Sequence, residues 1–255
     1  SAVQSVRLAL LAALAFAAAV GCGADGLAQE REAAFLAGKT KECPGCNLPG
    51  ITMKRRDLDG ANLAGANLEG ATFHKTRLRG ANLSGANLAD ANLNRADLRQ
   101  ANLKGADLTG AMLFAADASR ADFSGARLRV ALMGDVRLVG TLLEGANLIQ
   151  ADLGGARMVD ARMARADLSG ADMRQATLFR ADMREVNAVG LYLAEAQLRG
   201  ANLSGAMLRE SNLTRADLGE VDLSRADLQG IDLANANLQN AVLTGARMPD
   251  NTVHP

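Results

Sequence analysis

Apolar and polar positions recur with a period of five residues over most of the chain. Residues 61–65 read Ala-Asn-Leu-Ala-Gly, and residues 66–70 repeat the order as Ala-Asn-Leu-Glu-Gly. The same phase runs from about Cys46 to Met248, which makes 41 units without an insertion or a deletion. A repeat that keeps its register for so long predicts a repetitive architecture, and it has to be interpreted before any local motif.

A period of five fits neither of the simple secondary-structure elements, because helices place apolar residues 3.6 apart and strands place them two apart. Two positions of each unit, such as Ala61 and Leu63, are suited to an interior, and the other three are suited to solvent. Asn or Asp at the second position and Gly at the fifth both favour turns. A short extended segment followed by a turn, repeated with one hand, predicts a wound coil.

Residues 96–100, Ala-Asp-Leu-Arg-Gln, match the signature of Ala, Asp or Asn, Leu and two variable residues. The chain therefore resembles the pentapeptide-repeat family over roughly four-fifths of its length. The resemblance implies an all-β fold, a right-handed quadrilateral parallel β-helix with four units per coil. With coils about 4.8 Å apart, the expected ten or so coils make a rod roughly 50 Å long.

The pattern divides the chain into four segments. Residues 1–28 read as an export signal, residues 29–45 as an N-terminal cap and linker, residues 46–248 as the β-helix, and residues 249–255 as a C-terminal tail. A short helix within residues 29–42 is expected to cover the first coil, since an open coil exposes strand edges and core.

Two interpretations of the export signal stay open. The apolar run Leu8 to Val20 is too short to span a bilayer and fits a signal peptide. Small residues ahead of Gln29 predict cleavage there and release as a soluble exported protein. Ala19-Val20-Gly21-Cys22 resembles a lipoprotein signal instead, in which Cys22 is acylated and anchors the chain to a membrane.

Cys43 and Cys46 have the spacing of a redox dithiol, but a structural disulfide is the simpler interpretation for an exported chain. Cys46 occupies a small inward position of the first unit, where burial is expected. Asn47 stands where haem attachment needs His, and a zinc site needs about four ligands. We therefore expect neither a cofactor nor a metal ion.

Two surface stripes are candidate interaction sites. The basic one lies near the N-terminal end and comprises Arg55, Lys75, Arg95, Arg79 and Arg99. It would contact an anionic partner or lipid headgroups, or it is a solvated face that is partly neutralised by Asp57, Asp59, Asp90 and Asp97. The apolar one is flanked by two arginines and would contact a protein partner; it comprises Val139, Val159, Phe179, Arg137 and Arg157. Phe114 and Tyr192 are further exposed candidates.

The chain carries 28 basic and 28 acidic residues, so its formal net charge is zero. The Asp residues sit at turn positions that the repeat requires, and no catalytic constellation is evident. We expect a non-catalytic exported scaffold in the periplasm or an equivalent lumen, an accessory subunit of an envelope or membrane complex, with end-to-end homodimers through the last coil as one further state.

The alternative function is DNA mimicry, because some pentapeptide-repeat proteins bind DNA gyrase in place of DNA. Such proteins carry a negative surface and a C-terminal dimerisation module. The neutral solenoid and the export signal of this sequence disfavour that function, and no binding to nucleic acid is expected.

Overall fold

The computed structural model describes residues 23–255. A single helix, α1 (Ala24–Leu36), precedes a solenoid in which residues twenty apart form parallel bridges. The bridges run without a break from Glu42–Asn62 to Asp227–Arg247, and each five-residue unit contributes one bridging residue. Four units therefore complete a coil, and the expected fold class, a right-handed quadrilateral parallel β-helix with a short N-terminal capping helix, is confirmed.

The core follows the two inward positions of the unit. Ala61 and Leu63 are completely buried, and the first and third residues of nearly every later unit share this burial. The small first residue lies where the square coil is narrow, and the larger third residue fills its centre. In the middle coils Met133, Met158 and Met183 take the central position and are also fully buried, since the flexible Met side chain fills irregular space.

The fourth and fifth residues of each unit form a turn closed by a backbone hydrogen bond, such as that from Ala66 N to Leu63 O at 3.1 Å. Every fifth residue from Gly45 to Gly245 has a positive φ, which makes 41 positions. Gly adopts this conformation without steric cost, which explains its frequency there. In more than half of the units another residue is held in the left-handed region by the coil.

Neighbouring coils exchange most of the remaining backbone hydrogen bonds. In unit 61–65 one amide donates to the preceding coil, two donate to the following coil, and one closes a turn. These four bonds run from Asn62 N to Lys41 O (2.9 Å), from Leu63 N to Asn82 O and Gly65 N to Ser84 O (both 2.8 Å), and from Ala61 N to Leu58 O (3.0 Å).

The Asn or Asp side chain at the second position satisfies the amide of the fourth residue, which bonds no backbone carbonyl of a neighbouring coil in the described solenoid. The N–H of Ala64 donates to Asn62 Oδ1 at 3.2 Å, and the N–H of Ser84 donates to Asn82 Oδ1 at 3.0 Å. The same bond recurs along the rod wherever the second residue is Asn or Asp, with few exceptions. The repeat therefore needs Asx at this position for a backbone reason, and these carboxylates are not available as paired catalytic acids.

Helix α1 covers the first coil, but its bounds differ from the expected 29–42. It begins at Ala24, inside the segment read as an export signal, and it ends at Leu36. Gly38, with φ of 73°, terminates it, because Gly38 N bonds Phe35 O and Lys39 N bonds Ala34 O in a Schellman motif. The expected export signal of residues 1–28 thus overlaps the helix, and residues 1–22, including Cys22, lie outside the described residues.

Four residues attach the helix to the rod, and one of them, Arg31, donates to Pro44 O at 2.9 Å. Phe35 is completely buried in the core, so it closes the open end of the first coil. Glu32 Oε1 accepts the N–H of Asn47 at 2.8 Å, a group that has no preceding coil to bond. Arg56 donates to Leu36 O at 3.2 Å and to Phe35 O at 3.5 Å, which satisfies carbonyls that a helix C-terminus leaves unpaired.

The C-terminal tail folds back on the last coil. Val253 forms an antiparallel bridge with Arg247, and Gly245 N donates to His254 O at 2.9 Å. The segment that the sequence analysis gave only as a tail therefore pairs with one side of the last coil. The central residues Leu233, Leu238 and Leu243 remain only partly buried.

One turn residue is poorly suited to its conformation. Val130 has φ of 51°, and a β-branched residue in the left-handed region is a steric outlier. We expect Val130→Asn to raise the free energy of unfolding by about 1 kcal/mol, because Asn tolerates this region. Val189→Asn is the matched control, since Val189 is also an exposed turn valine but has no positive φ. Urea unfolding followed by circular dichroism measures the free energy of unfolding of both variants. An equal change in the two variants would show that Val130 is not strained.

Candidate interaction surfaces

The four sides of the rod present separate stacks of side chains. We call one side the Phe114 face; it consists of the outward residues of the units centred on Leu113 and Met133 and of the units twenty residues before and after them. The adjoining side, the Phe179 face, consists of the units centred on Leu138, Met158 and Leu178 and their continuation along the rod.

The structure brings the predicted apolar stripe together on the Phe179 face. Asp160 N bonds Phe179 O and Gly140 N bonds Val159 O, both at 2.9 Å, so Val139, Val159 and Phe179 lie on successive coils. Each side chain is partly buried, because it is covered in part by its neighbours in the stack.

Arg137 and Arg157 flank this stripe as predicted. Their backbones form a parallel β-bridge, so the two residues lie on neighbouring coils. Within residues 23–255 neither guanidinium forms an ion pair. The Phe179 face therefore combines an apolar column with two unneutralised positive charges.

The predicted basic edge divides into two groups. Arg99 contacts Asp97 at 2.6 Å, and Arg79 lies 3.7 Å from the same carboxylate, so these two charges are largely neutralised. The hydrogen bond to Asp97 raises the pKa of Arg99. Burial raises the pKa of Asp97, but the hydrogen bonds and the charge of Arg99 together outweigh burial, so the pKa of Asp97 is lowered. The sequence offered Asp97 as one of several neutralising carboxylates, and side-chain rotamers decide which arginines it contacts.

The other group stays positive. Arg55, Lys75 and Arg95 stack in one column on the Phe114 face, at the fifth position of successive coils. Among the described residues none of the three forms an ion pair. We call this set the basic column.

His74 lies beside the basic column and reports on its potential. Partial burial is the largest cause that lowers its pKa, followed by the positive charges of Lys75, Arg55 and Arg95 and of Lys54. The basic column therefore repels a further positive charge at this point of the surface.

A shallow groove of about 730 Å³ lies farther along the Phe114 face. Phe114 and Leu132 line one end of it and are 43% and 50% exposed. Gly134 and Gly154 form part of its lining, at the fourth position of their units, where φ is not positive. The backbone therefore does not require Gly there. The sequence analysis noted Phe114 but missed the groove; consecutive Gly at a fourth position, twenty residues apart, was the available signal.

The other end of the groove is acidic. Four carboxylates and one guanidinium line it, namely those of Asp135, Asp152, Asp172, Glu195 and Arg174. Arg174 is bound to Asp172 at 2.6 Å, and this hydrogen bond is the main cause of the lowered pKa of Asp172. Asp135, Asp152 and Glu195 form no ion pair within the described part of the chain, which leaves the groove negative.

Cys43 and Cys46 are joined by a disulfide at the start of the solenoid, and both are buried. Cys43 Sγ lies 3.9 Å from Arg31 O of helix α1, so the disulfide lies at the capped end of the rod. From residue 23 onward, no group of His, Cys, Asp and Glu side chains is arranged to hold a metal ion. Over the same residues, no helix has the length and apolar character needed to cross a bilayer.

The pKa of His74 gives a test of the basic column. Lys75→Gln should raise this pKa toward the ordinary value, because it removes a neighbouring positive charge, and added salt should act in the same direction. Lys104→Gln, on a different side of the rod, should leave the pKa unchanged. NMR titration of the His74 ring protons measures both variants. An unchanged pKa in Lys75→Gln would show that the column exerts no such field.

Comparison with known proteins identifies the repeat. The family model described as pentapeptide repeats matches 8 copies, over residues 57–95, 91–129, 141–178, 176–215 and 216–250. HetL, a pentapeptide repeat protein involved in heterocyst differentiation regulation in the cyanobacterium Nostoc, is 33% identical, with a TM-score of 0.74 over 87% of this chain and 96% of that chain.

Two further solved structures are more distant. Rfr23 of the cyanobacterium Cyanothece is 28% identical, with a TM-score of 0.37 over 50% of this chain and 92% of that one. QnrB1, a plasmid-mediated fluoroquinolone resistance protein, is 20% identical, with a TM-score of 0.37 over 75% of this chain and 91% of that one. No curated protein matches the chain. The repeat, the coil geometry and these matches show that the chain belongs to the pentapeptide-repeat family.

Proposed function

We propose that this protein is a non-catalytic exported scaffold that binds a protein partner in the bacterial envelope through its Phe179 face. The observation that carries the proposal is the stack of Val139, Val159 and Phe179 beside the unpaired Arg137 and Arg157. Members of this family are in general structural or interaction proteins, and this surface is of the kind that such a protein would use.

The rod favours binding because its surface is already ordered. Successive coils hold equivalent side chains about 4.8 Å apart, and the backbone hydrogen bonds between coils fix that spacing. A partner therefore meets a surface that loses little conformational entropy on association. Apolar contact supplies affinity, and the two guanidinium groups orient an acidic region of the partner.

Export is supported by the apolar run Leu8 to Val20. Cleavage before Gln29 would remove the first five residues of α1, Ala24 to Ala28. Acylation at Cys22 would leave the whole helix in place, so the position of α1 favours the lipoprotein interpretation. In that arrangement the capped end of the rod lies next to the membrane.

The test is capture of the tagged protein from fractionated native cells. We expect it in the envelope fraction, with an intact mass that reports an acylated Cys22, and in complex with a partner that wild-type bait recovers reproducibly. Phe179→Ser should reduce recovery of that partner at least tenfold, because it removes the largest apolar group of the stack.

Ile149→Ser is the matched control, since Ile149 is a partly buried apolar residue at the same turn position on another side of the rod. It should leave recovery unchanged. Equal recovery by both variants would contradict the proposed surface. An uncut chain in the cytosol would contradict export and would make binding to DNA gyrase the next activity to test.

A further inference from the structure

The Phe114 face changes its charge along the rod. Its first three coils, residues 52–55, 72–75 and 92–95, carry four cationic side chains and no carboxylate. These are Lys54, Arg55, Lys75 and Arg95. The next outward residues of this face carry no charge; they are Met112, Phe114, Ala115, Leu132 and Gly134. Residues 135–195 of the same face then carry four carboxylates and one guanidinium. One face thus reads basic, apolar and acidic in order.

When a second copy of this face runs in the opposite direction, its acidic end meets the basic end of the first copy and its apolar middle meets the apolar middle. Two copies can meet across this face about a two-fold axis that lies in the interface and is perpendicular to both rods. That rotation keeps each column of side chains opposite the same column of the other copy and reverses its direction. With the axis at the level of Phe114, a residue twenty before Ala115 meets a residue twenty after it. Arg95 then faces Asp135 of the second copy, and this pair occurs twice.

The glycines of the groove match this arrangement. Reversal of the columns about the same level places Asn94 opposite Gly134, His74 opposite Gly154 and Lys75 opposite Gly155. Each of these larger side chains therefore meets a residue with no side chain of its own, bordered by Phe114 at Gly134, by Asp152 at Gly154 and by Asp135 at Gly155. The carboxylate of Asp135 lies over Gly155, where an added Cβ would be 2.5 Å from Asp135 Oδ1, so Lys75 would enter next to a negative charge.

Phe114 lies at the centre of the arrangement and meets its own counterpart. Its ring is 43% exposed and packs beside Gly134, where an added Cβ would be 3.4 Å from the ring. Exposed aromatic groups of this kind are typical anchors of interfaces, with charged residues around them. A second copy has the same coil spacing, so equivalent positions stay in register along the contact. The reversal also sets Lys54 opposite Arg174, whose charge is already paired with Asp172 at 2.6 Å.

From these observations we infer that the protein forms an antiparallel side-by-side dimer through the Phe114 face. The occupant of the groove is a second copy of this chain, and its basic column is the group that neutralises the acidic end of the groove. This inference is independent of the proposed function, because the Phe179 face stays free on both copies. The dimer would present two such faces to partners.

Charge reversal tests the dimer. Arg95→Asp and Asp135→Arg both place residues that the chain already uses at the fifth position, as in Asp90 and Arg120, so the fold is retained. Light scattering during gel filtration of the full chain should give twice the 26.5 kDa mass for the wild type. Each single variant should dissociate with a Kd at least tenfold higher, because like charges then face each other.

Restoration distinguishes this interface from any other. An equimolar mixture of the two single variants should form a mixed dimer with near wild-type Kd, since both of its pairs are again opposite in charge. The double variant Arg95→Asp/Asp135→Arg should dimerise by itself for the same reason. Arg225→Asp, at the same turn position on the opposite side of the rod, is the matched control and should change nothing.

Three results would overturn the inference. A wild-type protein that is monomeric up to high micromolar concentration forms no such dimer. Single variants with wild-type Kd would show that any dimer uses another surface, such as the partly exposed last coil. Failure of the mixture and of the double variant to recover the dimer, with both singles folded by circular dichroism, would show that Arg95 and Asp135 do not meet.

Discussion

The backbone hydrogen bonds between residues nineteen to twenty-one apart determine everything else in this molecule. Each coil bonds the coils before and after it, and the turn residue at every fifth position must adopt a positive φ for the bonds to continue. The core follows from this geometry, because the same two positions of each unit always point inward. Asn or Asp at the second position completes the network by accepting the amide that no coil can bond.

The same register arranges the surface into columns. A residue's neighbours on the surface lie twenty positions away in sequence, so function depends on patterns of that period. The basic column, the Phe179 stack and the glycines of the groove are all of this kind. The repeat satisfies the hydrogen bonds of the backbone by itself, so the outward positions are free to vary. A reversal of charge or a missing side chain along one column therefore points to a binding surface.

Sequence reasoning predicted the fold well because the repeat encodes it at every unit, from the buried Ala61 and Leu63 to the turn at Gly65. It placed α1 wrongly at its start, since the small residues near Gly26 fit a cleavage site as well as a helix. It named Asp97 among the carboxylates that could neutralise the basic edge, but it could not tell that Arg79 and Arg99 both contact Asp97 while the basic column forms no ion pair in the described part of the chain. It also missed the groove, because a groove arises where side chains are missing on successive coils.

Residue-resolved hydrogen exchange tests the central claim most directly. In the regular coils, amides at the second, third and fifth positions should be protected with a period of five, as at Asn62, Leu63 and Gly65. The fourth amide should be protected at Ala64, which bonds Asn62 Oδ1, and should exchange faster at Gly134, where Leu132 offers no acceptor. A helical period of 3.6 in the protection, or equal protection at Ala64 and Gly134, would contradict the account.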